Sequence, residues 1–253
     1  MLFLLRRWVI SLTSHLYDWT TVEGTEPLAR LSSLRWVARR KLMVLPIGYP
    51  QDYCPIAPYE NGARENLILC TSRIAQQKGL ADLLTAFARA DASVPGWRLT
   101  LVGPVTEPNY AEHLRELVTR LSLETKVRFA GFVSDAELTE LYRQASIFCL
   151  PSVVENAGQV RYEAMASGLP LITTAAGTGR DFESAGARVI PVGDVLALEA
   201  ALRELMSDPA LRARVAAAQQ RHLQSYLDVA REFVAAVDRG RRADVAPAAR
   251  TGT

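Results

Sequence analysis

The chain has 253 residues, enough for one large domain or one domain and a fragment of another. Its 29 basic and 27 acidic side chains leave a formal net charge of +2 with both signs interspersed along most of the chain, which makes no case for a nucleic-acid binder. Apolar residues make up 49% and charged residues 22%, a soluble globular balance, and neither the three cysteines nor the three histidines are spaced as zinc ligands.

The segment Met1 to Ile10 is apolar but interrupted by Arg6 and Arg7. It is too short to cross a bilayer, and its charges follow the apolar run, where a leader would put them first. A buried element of a larger domain is expected there, with a membrane-surface helix as the alternative. Residues 1–50 hold three of the four tryptophans and a basic cluster of Arg30, Arg35, Arg39, Arg40 and Lys41. The apolar spacing predicts a helix from Pro27 through Val37 and a short strand from Leu42 to Leu45, ended by Pro46. One strand and one or two helices cannot cover both faces of a sheet, so 1–50 reads as the closing fragment of an N-terminal domain. Residues 51–65, with Pro55, Pro58 and Gly62 among polar side chains, read as a linker.

From residue 67 the pattern is regular. Apolar runs at 67–71, 98–102, 127–130, 147–150, 170–174 and 188–191 predict strands. Helical stripes separate the first four: Leu80, Leu83, Leu84 and Phe87; then Tyr110, Leu114, Leu117, Val118 and Leu121; then Leu138, Leu141, Tyr142 and Ala145. Ser134 and Glu137 have the spacing of a capping box that opens the third. A short helix closed by Gly168-Leu169-Pro170 stands between the fourth and fifth runs. Continuous apolar strands alternating with helices predict an α/β, Rossmann-like, doubly wound parallel sheet. After residue 191 three helices are expected: one striped by Leu198, Leu202 and Leu205, one started by Asp208-Pro209, and one from Leu223 through Val237. The α/β domain is thus placed at 66–240, followed by a disordered tail at 241–253 with no period. Cys70 and Cys149 fall inside strand runs and read, with Cys54, as free thiols of a reducing compartment.

In an open parallel sheet, ligands sit beyond the carboxyl ends of the strands. The first run is followed by Ser72 to Gly79, with Arg73 and Lys78; the second by Gly103-Pro104; the third by Gly131-Phe132. The fourth leads into Pro151-Ser152-Val153-Val154-Glu155-Asn156-Ala157-Gly158-Gln159, then a helix carrying Glu163. A loop feeding a helix N-terminus presents free N–H groups to an anion such as a diphosphate, and Gly158 permits the tight turn. Arg73 can grip phosphate oxygens as a fork, and Lys78 adds a point charge. The local alternative is a solvated cation pair, a solvent-facing Glu155, and a Glu163 bridged to a neighbouring arginine.

Taken together, Arg73 with Lys78, Gly131-Phe132-Val133-Ser134, Pro151-Ser152-x-x-Glu155, Glu163, and Ala164 to Pro170 resemble retaining glycosyltransferases of family 4. These have the GT-B fold of two Rossmann-like domains. The resemblance covers residues 44 to about 238 and implies a whole nucleotide-sugar-binding C-terminal domain with the last fragment of the N-terminal one. By position it implies that Arg73 and Lys78 hold the diphosphate and that Glu163 accepts bonds from the ribose. Glu155 meets the transferred sugar, the backbone around Phe132 meets the base, and Gly103, Gly131, Ser152, Asn156, Ala157, Gly158 and Gln159 line the donor site. It further implies that no metal or other cofactor is needed, the donor being a nucleotide-diphosphate sugar and the acceptor a glycan or lipid-linked sugar. The family's usual Glu-Gly-Phe-Gly reads Glu155-Asn156-Ala157-Gly158 here, Ser72 replaces the usual Gly before the Arg, and Ile47 a common Asn, so a divergent donor pocket is expected. Because most of an N-terminal domain is not represented, dependence on a separate half or self-association is expected, as is a cytoplasmic location with peripheral membrane contact. The competing reading is a non-catalytic nucleotide-binding or subunit-interaction module; a sugar-nucleotide epimerase comes third.

Overall fold

The computed structural model describes residues 20–34, 37, 41–45, 48–49, 59, 64–156 and 158–245. Its contacts divide the chain into two units, Tyr49–Leu223 and Met1–Gly48 with Gln224–Thr253. In the second of these, β1 (Thr20–Val22) and β2 (Leu42–Val44) pair in parallel, Val22 opposite Val44, and α1 (Thr25–Ser32) lies between them in sequence. The helix stops short of the predicted Val37. Ser33 Oγ donates to the Arg30 carbonyl at 2.7 Å and the Leu34 N–H turns back to the Leu31 carbonyl, so the last turn tightens and the chain leaves.

The larger unit follows the predicted alternation: β3 (Leu67–Thr71), α2 (Leu80–Ser93), β4 (Arg98–Val102), α3 (Pro108–Arg120), β5 (Val127–Gly131), α4 (Asp135–Gln144), β6 (Ile147–Leu150), α5 (Gln159–Ala166), β7 (Leu171–Thr174) and β8 (Arg188–Ile190). All six strands form one parallel sheet in the order β5-β4-β3-β6-β7-β8. β3, β6 and β7 are buried along their whole length, which is why their sequences are apolar without alternation. Cys70 and Cys149 are free and buried in β3 and β6, and burial pushes the Cys70 thiol up to about 12; Cys54 lies outside the described residues.

Helix ends follow local side chains. Ser134 and Glu137 form the predicted capping box at α4. Two further helices, α6 (Val195–Ser207) and α7 (Pro209–Gln220), start where Asp194 and Asp208 accept the N–H groups of Ala197 and Leu211 at 2.9 and 2.8 Å. The buried Arg212 covers the last carbonyls of α6, donating to Leu205 O at 2.6 Å, and stacks 5.2 Å from the centre of Trp97. Within the other unit, α8 (Tyr226–Val245) starts after Ser225 and Asp228 exchange bonds, three residues beyond the predicted Leu223. It continues past Arg241, into the stretch expected to be disordered, because Arg and Ala are strong helix formers. Residues 246–253, like 51–58 of the expected linker, lie outside the described residues.

From β3 the chain steps to β4 and β5 on one side, then returns to β6, β7 and β8 on the other. The strand order therefore reverses between β3 and β6, and such a reversal opens a crevice at the carboxyl ends of the two strands.

Candidate functional site

Two loops meet at that crevice. The one after β3 makes a tight turn at Gln76–Lys78 and ends at Gly79, whose φ of 64° is left-handed and where a Cβ would stand 2.1 Å from the Pro151 carbonyl oxygen. The one after β6 rests on it, the Val153 and Val154 N–H groups both donating to the Gln77 carbonyl at 2.8 and 3.1 Å. This contact places Lys78 Nζ 2.8 Å from Glu155 Oε2, with the two side chains only 12% and 11% exposed. The buried Ser152 donates its hydroxyl to the same oxygen at 3.0 Å, and the Asn156 N–H donates to Oε1 at 3.1 Å. Burial pushes the Glu155 carboxyl up, but the Lys78 bond and charge, with Arg161 and Ser152, outweigh it and hold the group below its usual range. The solvent-facing Glu155 of the local alternative is not what forms.

Glu163 behaves in the opposite way. It is buried in α5, and Tyr142 of α4 donates to its Oε2 at 3.2 Å, the tyrosine oxygen lying 3.2 Å from Thr71 Oγ1 at the end of β3. Arg64 fixes the two helices by donating to the Tyr142, Ala145 and Ser167 carbonyls at 2.9, 2.8 and 2.6 Å. Burial raises the Glu163 carboxyl above its ordinary range, and bonds from Tyr142 and Gln159 only partly offset this. One motif thus holds one carboxyl below its ordinary range and one above it.

The remaining predicted residues sit around this pair. Gly103, at φ 138°, brings the end of β4 against β3; a Cβ there would lie 2.1 Å from the Ser72 carbonyl oxygen. Gly131 turns at φ 67°, and Phe132 after it is 85% exposed. Gly158 caps α5 at φ 63° with no side-chain cap, leaving Gln159 as its exposed first residue beside an exposed Asn156. Arg73 is exposed at the end of β3, and its side chain makes no hydrogen bond or ion pair among the described residues, so it is not drawn into the Lys78–Glu155 pair. Ala157 lies outside the described residues.

Sequence reasoning missed Arg161. It is fully buried in the first turn of α5, reaches Thr178 and Ala176 in the loop after β7, and leaves Nε without a partner. Burial lowers the pKa of its guanidinium, while Glu155 and Tyr162 act against that. The available signal was a cation in the first turn of a buried helix, where it opposes the dipole. Among the described residues no group of His, Cys, Asp and Glu is arranged to hold a metal ion, and no helix is long and apolar enough to cross a membrane.

The model of the family described as "Glycosyl transferases group 1" matches residues 57–222. Mannosylfructose-phosphate synthase of Agrobacterium fabrum is 33% identical over 149 residues, which are 54% of this chain and 33% of that protein. A GDP-mannose-dependent phosphatidylinositol monomannoside mannosyltransferase of Corynebacterium glutamicum is 32% identical over 167 residues, 63% of this chain and 42% of the relative. The chain therefore spans between about a third and two fifths of such relatives. Among solved structures, Anabaena HepE in complex with UDP superimposes with a TM-score of 0.79 at 19% identity, covering 91% of this chain and 66% of the other. Sucrose-phosphate synthase of Thermosynechococcus elongatus gives 0.76 at 23% identity, with 94% and 62% covered. These two likenesses match the fold of the C-terminal half of GT-B proteins, and with the family model spanning residues 57–222 the chain belongs to the glycosyl transferases group 1 family.

Proposed function

We propose that the chain is the nucleotide-sugar-binding half of a retaining glycosyltransferase, moving a sugar from a nucleotide-diphosphate sugar to a glycan or lipid-linked acceptor. The acceptor wall comes from a further segment or a separate half. The observation that carries this reading is the Lys78–Glu155 ion pair, which spans the point where the strand order reverses, with the buried Glu163 behind it.

An entering diphosphate competes with Glu155 for Lys78, while the unengaged Arg73 and the uncapped N-terminus of α5 offer further positive potential. Glu155, relieved of Lys78, faces the sugar. Glu163, held by Tyr142 and Gln159, receives the ribose hydroxyls, and the backbone at Gly131 and Phe132 meets the base. As the glycosidic bond to the diphosphate breaks, negative charge accumulates on the leaving phosphate, and fixed cations and amide dipoles stabilise it without protein covalent chemistry. The UDP bound to HepE and the GDP-mannose dependence of the Corynebacterium relative support a nucleoside-diphosphate donor.

The test is a thermal-unfolding panel of UDP, GDP, ADP and TDP on the wild type and on Glu163→Ala. At a hundred times its dissociation constant a ligand adds about 2.7 kcal/mol. One nucleotide raising the wild-type midpoint but not the mutant's is expected, and names the base. No shift with any of the four sinks the donor-site reading and leaves a subunit-interaction module in its place.

A further inference from the structure

Arg161 reaches from its own helix to the connection that follows β7. Its Nη1 lies 3.3 Å from Thr178 Oγ1 and Nη2 lies 3.4 Å from the Ala176 carbonyl, both in the loop after β7, and its guanidinium carbon stands 5.4 Å from the centre of the Phe182 ring. On the opposite side it fills the space a side chain at Gly158 would need, since a Cβ there would come within 3.1 Å of Cζ and Nε. The loop it reaches is itself seated on the Glu155 loop. The Thr178 N–H donates to the Asn156 carbonyl at 3.2 Å, and a Cβ at Gly177 would stand 2.2 Å from the Glu155 carbonyl oxygen.

Arg161 is a poor choice for packing alone. Its side-chain bonds are long, Nε is unsatisfied, and the cation opposes the positive end of α5. The ionisable groups acting on it are Glu155 and Tyr162, and those acting on Glu155 are Lys78 and Arg161, with Ser152 as a hydroxyl donor.

We infer that Arg161 is a positioning residue, fastening the loop after β7 to the Glu155 loop and keeping its own charge packed against that loop at Gly158. Neither part depends on the proposed donor site.

Both parts are tested without nucleotide, on the whole chain. Carbon-13 NMR of the glutamate carboxyls follows the Glu155 titration, and hydrogen exchange follows the Thr178 amide. In Arg161→Met, which keeps length and loses charge, Glu155 is expected to titrate at higher pH and the Thr178 amide to exchange about tenfold faster. Arg161→Lys should return the titration toward the wild type. Thr178→Val, which keeps the charge but removes the partner of Nη1, should speed the loop amides and leave Glu155 near its wild-type titration. An unmoved Glu155 and an unmoved Thr178 amide in Arg161→Met overturn the inference. So does exchange that rises equally at the Ala197 and Leu211 amides, which marks a merely structural residue. Should Arg161→Met fail to fold, unchanged loop exchange in Thr178→Val overturns it. A failed nucleotide panel, by contrast, sinks the donor site and leaves these results standing.

Discussion

Glu155 and Glu163 carry the same functional group eight positions apart, and their surroundings drive them in opposite directions. For Glu163 the folded pKa is raised, so its contribution to stability is full below the ordinary value of 4.5 and is lost as pH rises through the raised value. Glu163→Gln should therefore flatten the fall in unfolding free energy above pH 4.5, read by urea titration from pH 4.5 to 7.5. For Glu155 the sign reverses: its contribution is present above 4.5 and lost as pH falls through the lowered value, so the two groups act in separate windows. Lys78→Met leaves a mostly buried carboxylate without its cation and should cost roughly 1.5–3 kcal/mol, the worth of a charge-assisted bond. Adding Glu155→Gln should recover part of that loss, and a double mutant no more stable than Lys78→Met would show that the pair is not coupled. Both residues were legible in the sequence as chemistry at strand ends. Their pairing was not, because it is made by two loops 77 positions apart in the chain that are brought together by the sheet order. For Arg161 the misplaced cation in a helix's first turn was legible but its partners were not, since the loop that holds them follows the next strand.

At the scale of elements, the sequence was most informative where burial is complete. Six apolar runs became six strands because a doubly covered parallel sheet asks for nothing but apolar residues along its inner strands. The alternation of strand and helix identified parallel pairing but not the order β5-β4-β3-β6-β7-β8, since every right-handed crossover reads alike in one dimension. Helix ends were legible only where a cap announces itself, as at Ser134 or Asp208, and misjudged at α1 and α8, where hydroxyls or helix-tolerant polar residues decide. Asp208→Ala should lower stability by about 1 kcal/mol through loss of the Leu211 cap, measured by thermal or urea unfolding. Gly79→Ala should do far more. The left-handed backbone alone costs about 1–3 kcal/mol in a residue with a side chain. The new methyl also meets the Pro151 carbonyl, so the loops after β3 and β6 must part and the Lys78–Glu155 pair with them. A Gly79→Ala protein that keeps the Glu155 titration of the wild type would show that the loop contact does not set the pair.

For the whole molecule, the family match at residues 57–222 falls inside the unit Tyr49–Leu223, and it is this unit that carries Arg73, Lys78, Glu155 and Glu163. On the proposed reading these groups form one wall of a cleft, and a wall open to water is a weak catalyst. Two unit charges 4 Å apart interact by about 1 kcal/mol in bulk water and about 4 kcal/mol at the effective dielectric of a protein surface site. Closing the cleft thus adds about 3 kcal/mol per cation, and each 1.36 kcal/mol realised in the transition state is tenfold in rate. The chain alone should therefore bind the nucleotide named by the thermal panel and yet transfer sugar at least a hundredfold more slowly than when an acceptor-side half is supplied in trans. The measurement is release of labelled nucleotide from its sugar donor, with acceptor present, before and after that addition. A rise that Lys78→Met abolishes places the leaving group at the reversal point of the sheet. Equal release with and without the second half would mean that the residues in hand already shield the diphosphate from water, and the proposal of an open wall would fall while the donor site stood.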